Sequence, residues 1–342
     1  MTRQERKLEH LQHVVRAELA NADFDHVDLI HNCLPELAIQ ALDLSTTLAG
    51  IRLPCPFLIN AITGGVEDAK KLNRELALVA KDCGFAIAVG SQMAALENPH
   101  YHRTYGVVRD VYPDGIIFAN IGAYASVELA KQAVEMVEAN ALQIHLNVPQ
   151  ELLMAEGDVD FRGYQEHIAK IVQAVTVPVI IKEVGFGIAK EQAALFAQLG
   201  VTAIDVGGRG GTNFMQIESH RAQHDTSADL LQWGIPTALS ILEARAGAPC
   251  LDIIASGGIN SGLLAAKALA LGANAVGIAG LAIRILLAEG PNKLRERLDR
   301  IMRELKMVMV MTGSATVRDL GQTPVVITGK TKEWMTARSL AR

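Results

Sequence analysis

Aromatic residues are scarce in this chain, at 4% of 342 residues, and only two are tryptophan. Four cysteines, Cys33, Cys55, Cys83 and Cys250, are scattered without CxxC spacing, which excludes a disulfide framework and a zinc site and fits reduced thiols in the cytoplasm. No charge of one sign dominates: 32 basic and 37 acidic residues leave a net charge of −5. That balance argues against a disordered polyelectrolyte and against a dedicated nucleic-acid surface. No apolar run is long enough to span a membrane. The longest uncharged stretch, Ala268 to Ile283, is interrupted by Gly272, Asn274 and Gly277, and a spanning helix needs about 20 apolar residues. The polar start, MTRQERKLEH, is no signal peptide.

What is abundant is small and aliphatic. Half of the residues are hydrophobic and 29 are glycine, a combination typical of buried parallel strands and the turns that follow them. Eight short apolar runs recur: Phe57–Asn60, Phe85–Ser91, Ile116–Gly122, Ala141–Asn147, Val177–Gly185, Ala203–Gly208, Asp252–Gly258 and Ala273–Gly280. Between them, Asp68–Lys81, Ser126–Glu138, Tyr164–Ala174, Lys190–Leu199, Trp233–Arg245 and Ser261–Leu271 carry apolar residues at helical spacing. Asn292–Met309 predicts a further helix. Strands alternating with helices give a parallel sheet, and eight of them close into a (β/α)8 TIM barrel. The expected core is a barrel filled by branched residues and ringed by Ala- and Leu-rich helices. A doubly wound sheet is the weaker alternative, since no GxGxxG follows the first strand.

Residues 1–50 precede the barrel, which takes residues 51–342 as one domain. Thr2-Arg3-Gln4-Glu5 fits a capping box, and Leu8, Leu11, Val15 and Leu19 form a helical stripe. The reading is an N-terminal helical extension that covers the active site. Arg6, His10 and His13 share one stripe of that helix, which is ordinarily a solvated basic face.

Chemistry on such a barrel lies at the C-terminal ends of the strands. In the fourth strand Gln143, His145 and Asn147 alternate with Leu142, Ile144 and Leu146, so the polar set faces into the barrel. A lone strand histidine is usually a satisfied core residue; three polar residues in alternation make that reading less comfortable. Pro149-Gln150-Glu151 adds an amide and a carboxylate directly afterwards. Lys182 ends the fifth strand, and two readings stand open. One is a buried ion pair with Glu183 or Asp205; the other is a cation facing a bound anion or an electron-rich cofactor. The last strands end in Gly207–Thr212, Ser256-Gly257-Gly258 and Ala279-Gly280. Glycine turns of this kind hold phosphate in barrels, and FMN is the natural candidate.

Together these segments resemble type 2 isopentenyl diphosphate isomerase, the FMN-dependent family, over nearly the whole chain. The segments are RKLEH (6–10), AITGG (61–65), GSQM (90–93), QIHLNVPQE (143–151), KEVGFG (182–187), GGRGGT (207–212), SGG (256–258) and AG (279–280). The resemblance implies a barrel holding FMN, assembled as a homotetramer or homooctamer. It further implies conversion of isopentenyl diphosphate to dimethylallyl diphosphate with reduced FMN and Mg2+, NADPH or another reductant keeping the flavin reduced. Arg6 and Lys7 would bind the diphosphate, and His145, Asn147 and Gln150 would line the substrate pocket. Glu151 would hold Mg2+. Ala61, Ile62, Thr63, Ser91, Asn120, Lys182 and Thr212 would contact the flavin ring and ribityl chain, with Gly257, Gly258, Ala279 and Gly280 on its phosphate. Met93 stands where relatives often carry Arg, so a cation could come from elsewhere, such as Arg103; Ile62 stands where Met is frequent.

Two other barrel chemistries fit less well. A 2-hydroxy-acid oxidase needs a histidine in the His-Gly-Gly-Arg region, which GGRGGT lacks. A dehydrogenase of the inosinate type needs a loop cysteine, and residues Gly207–Gln216 contain none. A catalytically silent flavin- or phosphate-binding protein is disfavoured by the polar inner face of strand four and by Glu151.

Overall fold

Strand alternation builds the molecule. The computed structural model describes residues 22–61, 64–65, 67–222 and 225–341. Within them, eight parallel strands close into a barrel in sequence order. These are β1 (Phe57–Ile59), β2 (Ala86–Ala88), β3 (Ile117–Gly122), β4 (Ala141–Leu146), β5 (Val179–Glu183), β6 (Ala203–Asp205), β7 (Asp252–Ser256) and β8 (Ala275–Ile278). The last strand closes on the first through Val276↔Phe57 and Ile278↔Ile59. Each strand lies inside one of the eight apolar runs.

Helices cover the outside. They include α1 (Glu67–Cys83), α2 (His102–Val111), α3 (Val127–Met136), α4 (Val148–Leu153), α5 (Tyr164–Ala174), α6 (Lys190–Gln198) and α7 (Phe214–Ala222). They continue with α8 (Thr237–Gly247), α9 (Gly262–Ala270), α10 (Gly280–Glu289), α11 (Pro291–Thr312) and α12 (Gly329–Ala337). Ser126 and Ser261 cap α3 and α9 by accepting from Leu129 N and Leu264 N, an arrangement worth about 1 kcal/mol each. No helix among the described residues is long and apolar enough to cross a membrane.

Two expectations need correction. Branched residues do not fill the barrel. Its lower interior is built mainly of alanine (Ala86, Ala88, Ala141, Ala203, Ala275) with Leu58, Phe118, Ile180 and Ile254. Most branched side chains, such as Ile117, Ile144, Ile181 and Ile204, face outward into the layer beneath the helices. The wide outer layer needs volume that the narrow interior cannot accept. The helix expected from Trp233 starts at Thr237. Gly234 holds φ +116, a Cβ there would lie 2.9 Å from Phe186 Cα, and Pro236 is extended, so the backbone before Thr237 cannot be helical. The described residues before the barrel, 22–56, hold no α-helix. They form a strand, Val27–Leu29, paired antiparallel with Val325–Ile327, a single 3-10 turn, and the hairpin Thr46–Leu48/Ile51–Leu53. Leu48, Ala49 and Leu53 of that hairpin plug the lower end of the barrel. The capping box and leucine stripe of residues 2–19 lie outside the described residues.

Candidate active site

The inward positions of the strands change character with height. Apolar residues occupy the lower layers; above them sit Asn60, Asn120, Gln143, His145, Lys182, Asp205 and Ser256. This follows from side-chain alternation, since each is two residues beyond an inward apolar position or two beyond another member. Asn60, Asn120, Gln143, Lys182, Asp205 and Ser256 are all buried. Burial of so many polar groups is tolerable only if they pair, and they do.

Asp205 is the hub. Its carboxylate accepts from Lys182 Nζ at 2.9 Å, Asn60 Nδ2 at 2.6 Å and Gly207 N at 3.3 Å, and from Ser256 Oγ. Asn60 Oδ1 accepts from Gln143 Nε2 at 3.1 Å, and Gln143 Oε1 accepts from Asn120 Nδ2 at 3.0 Å. Asn120 Oδ1 lies 2.9 Å from His145 Nδ1. Gly277 makes room for this layer, since a Cβ there would lie 2.6 Å from Asn60 Nδ2. Lys182 is therefore paired with Asp205, as the first reading has it, and it also lines the cleft above.

That cleft opens at the C-terminal ends of the strands. Of the predicted site residues, Ala61, Ser91, Asn120, His145, Asn147, Gln150, Glu151, Lys182, Thr212, Gly257, Gly258, Ala279 and Gly280 all line it. Arg6, Lys7, Ile62 and Thr63 lie outside the described residues. Arg103 is exposed on α2 and is not among the lining residues, whereas Met93 is. Lys182 is the one lysine or arginine among the described lining residues.

The glycine turns form a backbone cradle. Gly257 and Gly258 have φ of +110 and +78, and a Cβ on either would collide with the carbonyl of Gly208 or Gly210. Helix α10 begins beside them, and no side chain caps its N-terminus at Ala279. Its first N–H groups are thus available to an anion. Helix α9, by contrast, is capped by Ser261. A phosphate fits this corner, and the mixed amide, hydroxyl and lysine surface beside it fits a polar ring edge.

On the other side, Glu151 accepts from Asn147 Nδ2 at 2.6 Å and from Asp158 N at 3.0 Å. Gln150 donates to Glu218 Oε1 at 2.9 Å, and Arg221 bridges Glu218 to Glu156. Sequence reasoning missed Glu218, because α7 was hidden behind the glycine turn that precedes it. No group of three metal-ligating side chains occurs among the described residues. Glu183, next to Lys182, points outward. Its carboxylate accepts from Gly185, Phe186 and Gly187 N–H groups, and burial pushes it up to about 8.

Comparison with known proteins is consistent with this geometry. A family model described as FMN-dependent dehydrogenase matches residues 126–327. Isopentenyl-diphosphate delta-isomerase of Symbiobacterium thermophilum is 50% identical over 321 residues, covering 93% of this chain and 88% of that protein. The proteins of the same name from Bacillus pumilus and Moorella thermoacetica are each 46% identical, covering 99% and 97% of this chain and 96% of each relative. Among solved structures, a mandelate oxidase variant with a monooxide FMN adduct aligns with TM-score 0.67 at 17% identity, covering 94% of this chain and 92% of that one. Mandelate oxidase with (S)-2-phenylpropionate aligns with TM-score 0.66 at 18% identity over 93% and 90%. At that identity the likeness to the oxidases shows the fold alone. By its identity to full-length relatives and its match to the FMN-dependent model, the chain belongs to the type 2, FMN-dependent isopentenyl-diphosphate delta-isomerase family.

Proposed function

We propose that this chain interconverts isopentenyl diphosphate and dimethylallyl diphosphate in a single FMN- and Mg2+-dependent site at the top of the barrel, supplying isoprenoid precursors. The observation that carries the reading is convergence: thirteen residues singled out along the sequence, from Ala61 to Gly280, line one cleft.

Reduced FMN, kept so by NADPH or another reductant, would supply through N5 the acid–base chemistry that moves a proton onto one carbon and off another. The chain's part is to hold, orient and balance charge. Gly257, Gly258, Ala279 and Gly280 would hold the phosphate on the cradle and the α10 N-terminus. Ala61, Ile62, Thr63, Ser91, Asn120 and Thr212 would edge the ring and ribityl chain. Lys182 would balance the anionic reduced ring, and its pairing with Asp205 keeps the ammonium in place at low entropic cost. His145, Asn147 and Gln150 would line the substrate side, Gln150 being held by Glu218.

The diphosphate needs more cation than Lys182 provides. Glu151 would bind Mg2+, an ion commonly held by one or two carboxylates together with phosphate oxygens and water; one carboxylate on this wall fits that pattern. Arg6 and Lys7 would add charge from residues 1–50, proposed to cover the site. Ala22, the first described residue, supports this, since it packs against Gly210 and Gly258 at the cradle. Assembly into a homotetramer or homooctamer, which the resemblance implies, belongs to the same proposal, and light scattering would measure it. Four free cysteines favour a cytoplasmic setting.

The test is direct. Purified protein, loaded with FMN, reduced with dithionite and given Mg2+, should convert isopentenyl diphosphate. Absence of turnover with reduced FMN bound would sink the proposal.

A further inference from the structure

We propose that Asp205 acts as a remote positioning residue: through Asn60, Gln143 and Asn120 it fixes the proton of neutral His145 on Nδ1, leaving Nε2 as the acceptor nitrogen.

The side-chain amides alone could point either way, since their oxygen and nitrogen ends are interchangeable in shape. Two groups with no such freedom remove the choice. Asp205 is held by Lys182 Nζ and Gly207 N, which can only donate, so its carboxylate is the accepting end. The Ala61 N–H, also only a donor, lies 2.9 Å from Asn60 Oδ1. Asn60 is therefore oriented twice over, with Nδ2 toward Asp205 and Oδ1 toward Gln143. From there each step is forced. Gln143 must donate to Asn60, so its Oε1 faces Asn120. Asn120 must donate to Gln143, so its Oδ1 faces the imidazole. His145 must then donate from Nδ1. Four hydrogen bonds of 2.6, 3.1, 3.0 and 2.9 Å carry the polarity from strand β6 to the end of strand β4. Reversing any one amide would set two oxygens or two N–H groups against each other inside the barrel, where water cannot rescue them.

The consequence is chemical. A histidine's two nitrogens are distinct, and the hydrogen bond made by one decides the role of the other. At a strand end that lines the cleft, a ring fixed as Nδ1–H can accept a hydrogen bond or proton at Nε2 and cannot donate from it. The same carboxylate that anchors Lys182 thus also sets the hydrogen-bonding character of the neighbouring strand end, where His145 stands in register with Lys182. The inference concerns where one proton sits and stands apart from which substrate is bound.

Solid-state 15N NMR of the FMN-loaded enzyme labelled at its 10 histidines tests it, with His145 assigned by the signal lost in His145→Gln. Above the imidazole titration, His145 should show a pyrrole-type Nδ1 and a pyridine-type Nε2, in excess of the other tautomer by roughly tenfold, as one hydrogen bond implies. The reverse pattern, or a doubly protonated ring, in the unmodified enzyme overturns the proposal without need of any variant. Gln143→Leu cuts the chain between Asp205 and Asn120, and the excess should fall several-fold. Adding Asn120→Asp to that variant should restore the Nδ1 proton, because a carboxylate can only accept. An unchanged tautomer ratio in folded Gln143→Leu, with FMN still bound, would show that Asp205 does not set it.

Discussion

Lys182 Nζ lies 2.9 Å from Asp205 Oδ2, with both side chains buried beneath the cleft. The pair couples stability to ligand binding, because the lysine faces two ways: down to a fixed carboxylate and up to the cleft. Lys182→Met leaves the Asp205 charge without its cation, and breaking a buried pair in this way costs about 3–5 kcal/mol. The expected value is at the low end, since Asn60, Ser256 and Gly207 still donate. The double variant Lys182→Met/Asp205→Asn should recover most of that stability in chemical denaturation. Its affinity for FMN, read by fluorescence quenching, should stay weakened. Recovery of both together would remove Lys182 from the flavin site.

Glu151 separates metal from flavin. Its oxygens are held by Asn147 and the Asp158 N–H, on the opposite side of the cleft from the glycine cradle. Glu151→Gln keeps the size and loses the charge that Mg2+ requires. Activity at limiting Mg2+ should fall by at least the ~10–100-fold that loss of an outer partner costs a metal site. The flavin-to-protein ratio should not change. Loss of flavin in this variant would place Glu151 on the wrong side of the site.

Gly257 tests the cradle. Its φ of +110 is strained for any side chain, by about 1–3 kcal/mol, and a Cβ would collide with the Gly208 carbonyl and approach Thr237 Oγ1. Gly257→Ala should lower stability and release FMN during purification. If dialysed Gly257→Ala held flavin as tightly as the unmodified chain, the phosphate would not sit on this turn.

These tests rest on features that were legible to different degrees. Alternation made the inner face of β4 readable, because Gln143, His145 and Asn147 interrupt an apolar strand at every second position. The glycine turns were readable for the same local reason. Lys182 was readable as a problem, a charge in an apolar run, though one sequence could not tell which carboxylate answered it. Glu183 and Asp205 were both candidates, and pleat decides: Asp205 shares the inward face with Lys182, while Glu183 turns outward to the Gly185–Gly187 amides. Contacts between segments far apart carried no local signal. The pairing of Val27–Leu29 with Val325–Ile327, the clasp of Trp334 and Arg338 on Glu243, and the hold of Glu218 on Gln150 belong to this kind. The interior alanines misled as well, since hydrophobic runs look alike from either side.

Glu183 makes the last prediction, a dependence of stability on pH. Burial raises its carboxyl to about 8 from an ordinary 4.5, opposed by the Phe186 and Gly185 N–H groups and by Lys182. A folded-state value above the unfolded one means that the fold favours the neutral acid. That contribution is fully present below pH 4.5. It falls as pH rises, because the unfolded chain releases the proton first, and it is lost once pH passes about 8. The loss is on the order of a few kcal/mol across the window. Glu183→Gln presents a permanent mimic of the neutral acid, whose oxygen can still accept from the loop amides. Urea unfolding at a series of pH values should therefore show stability declining toward pH 8 in the unmodified chain and a flatter profile in Glu183→Gln. Equal slopes in the two proteins would mean that the three loop amides hold Glu183 ionised throughout.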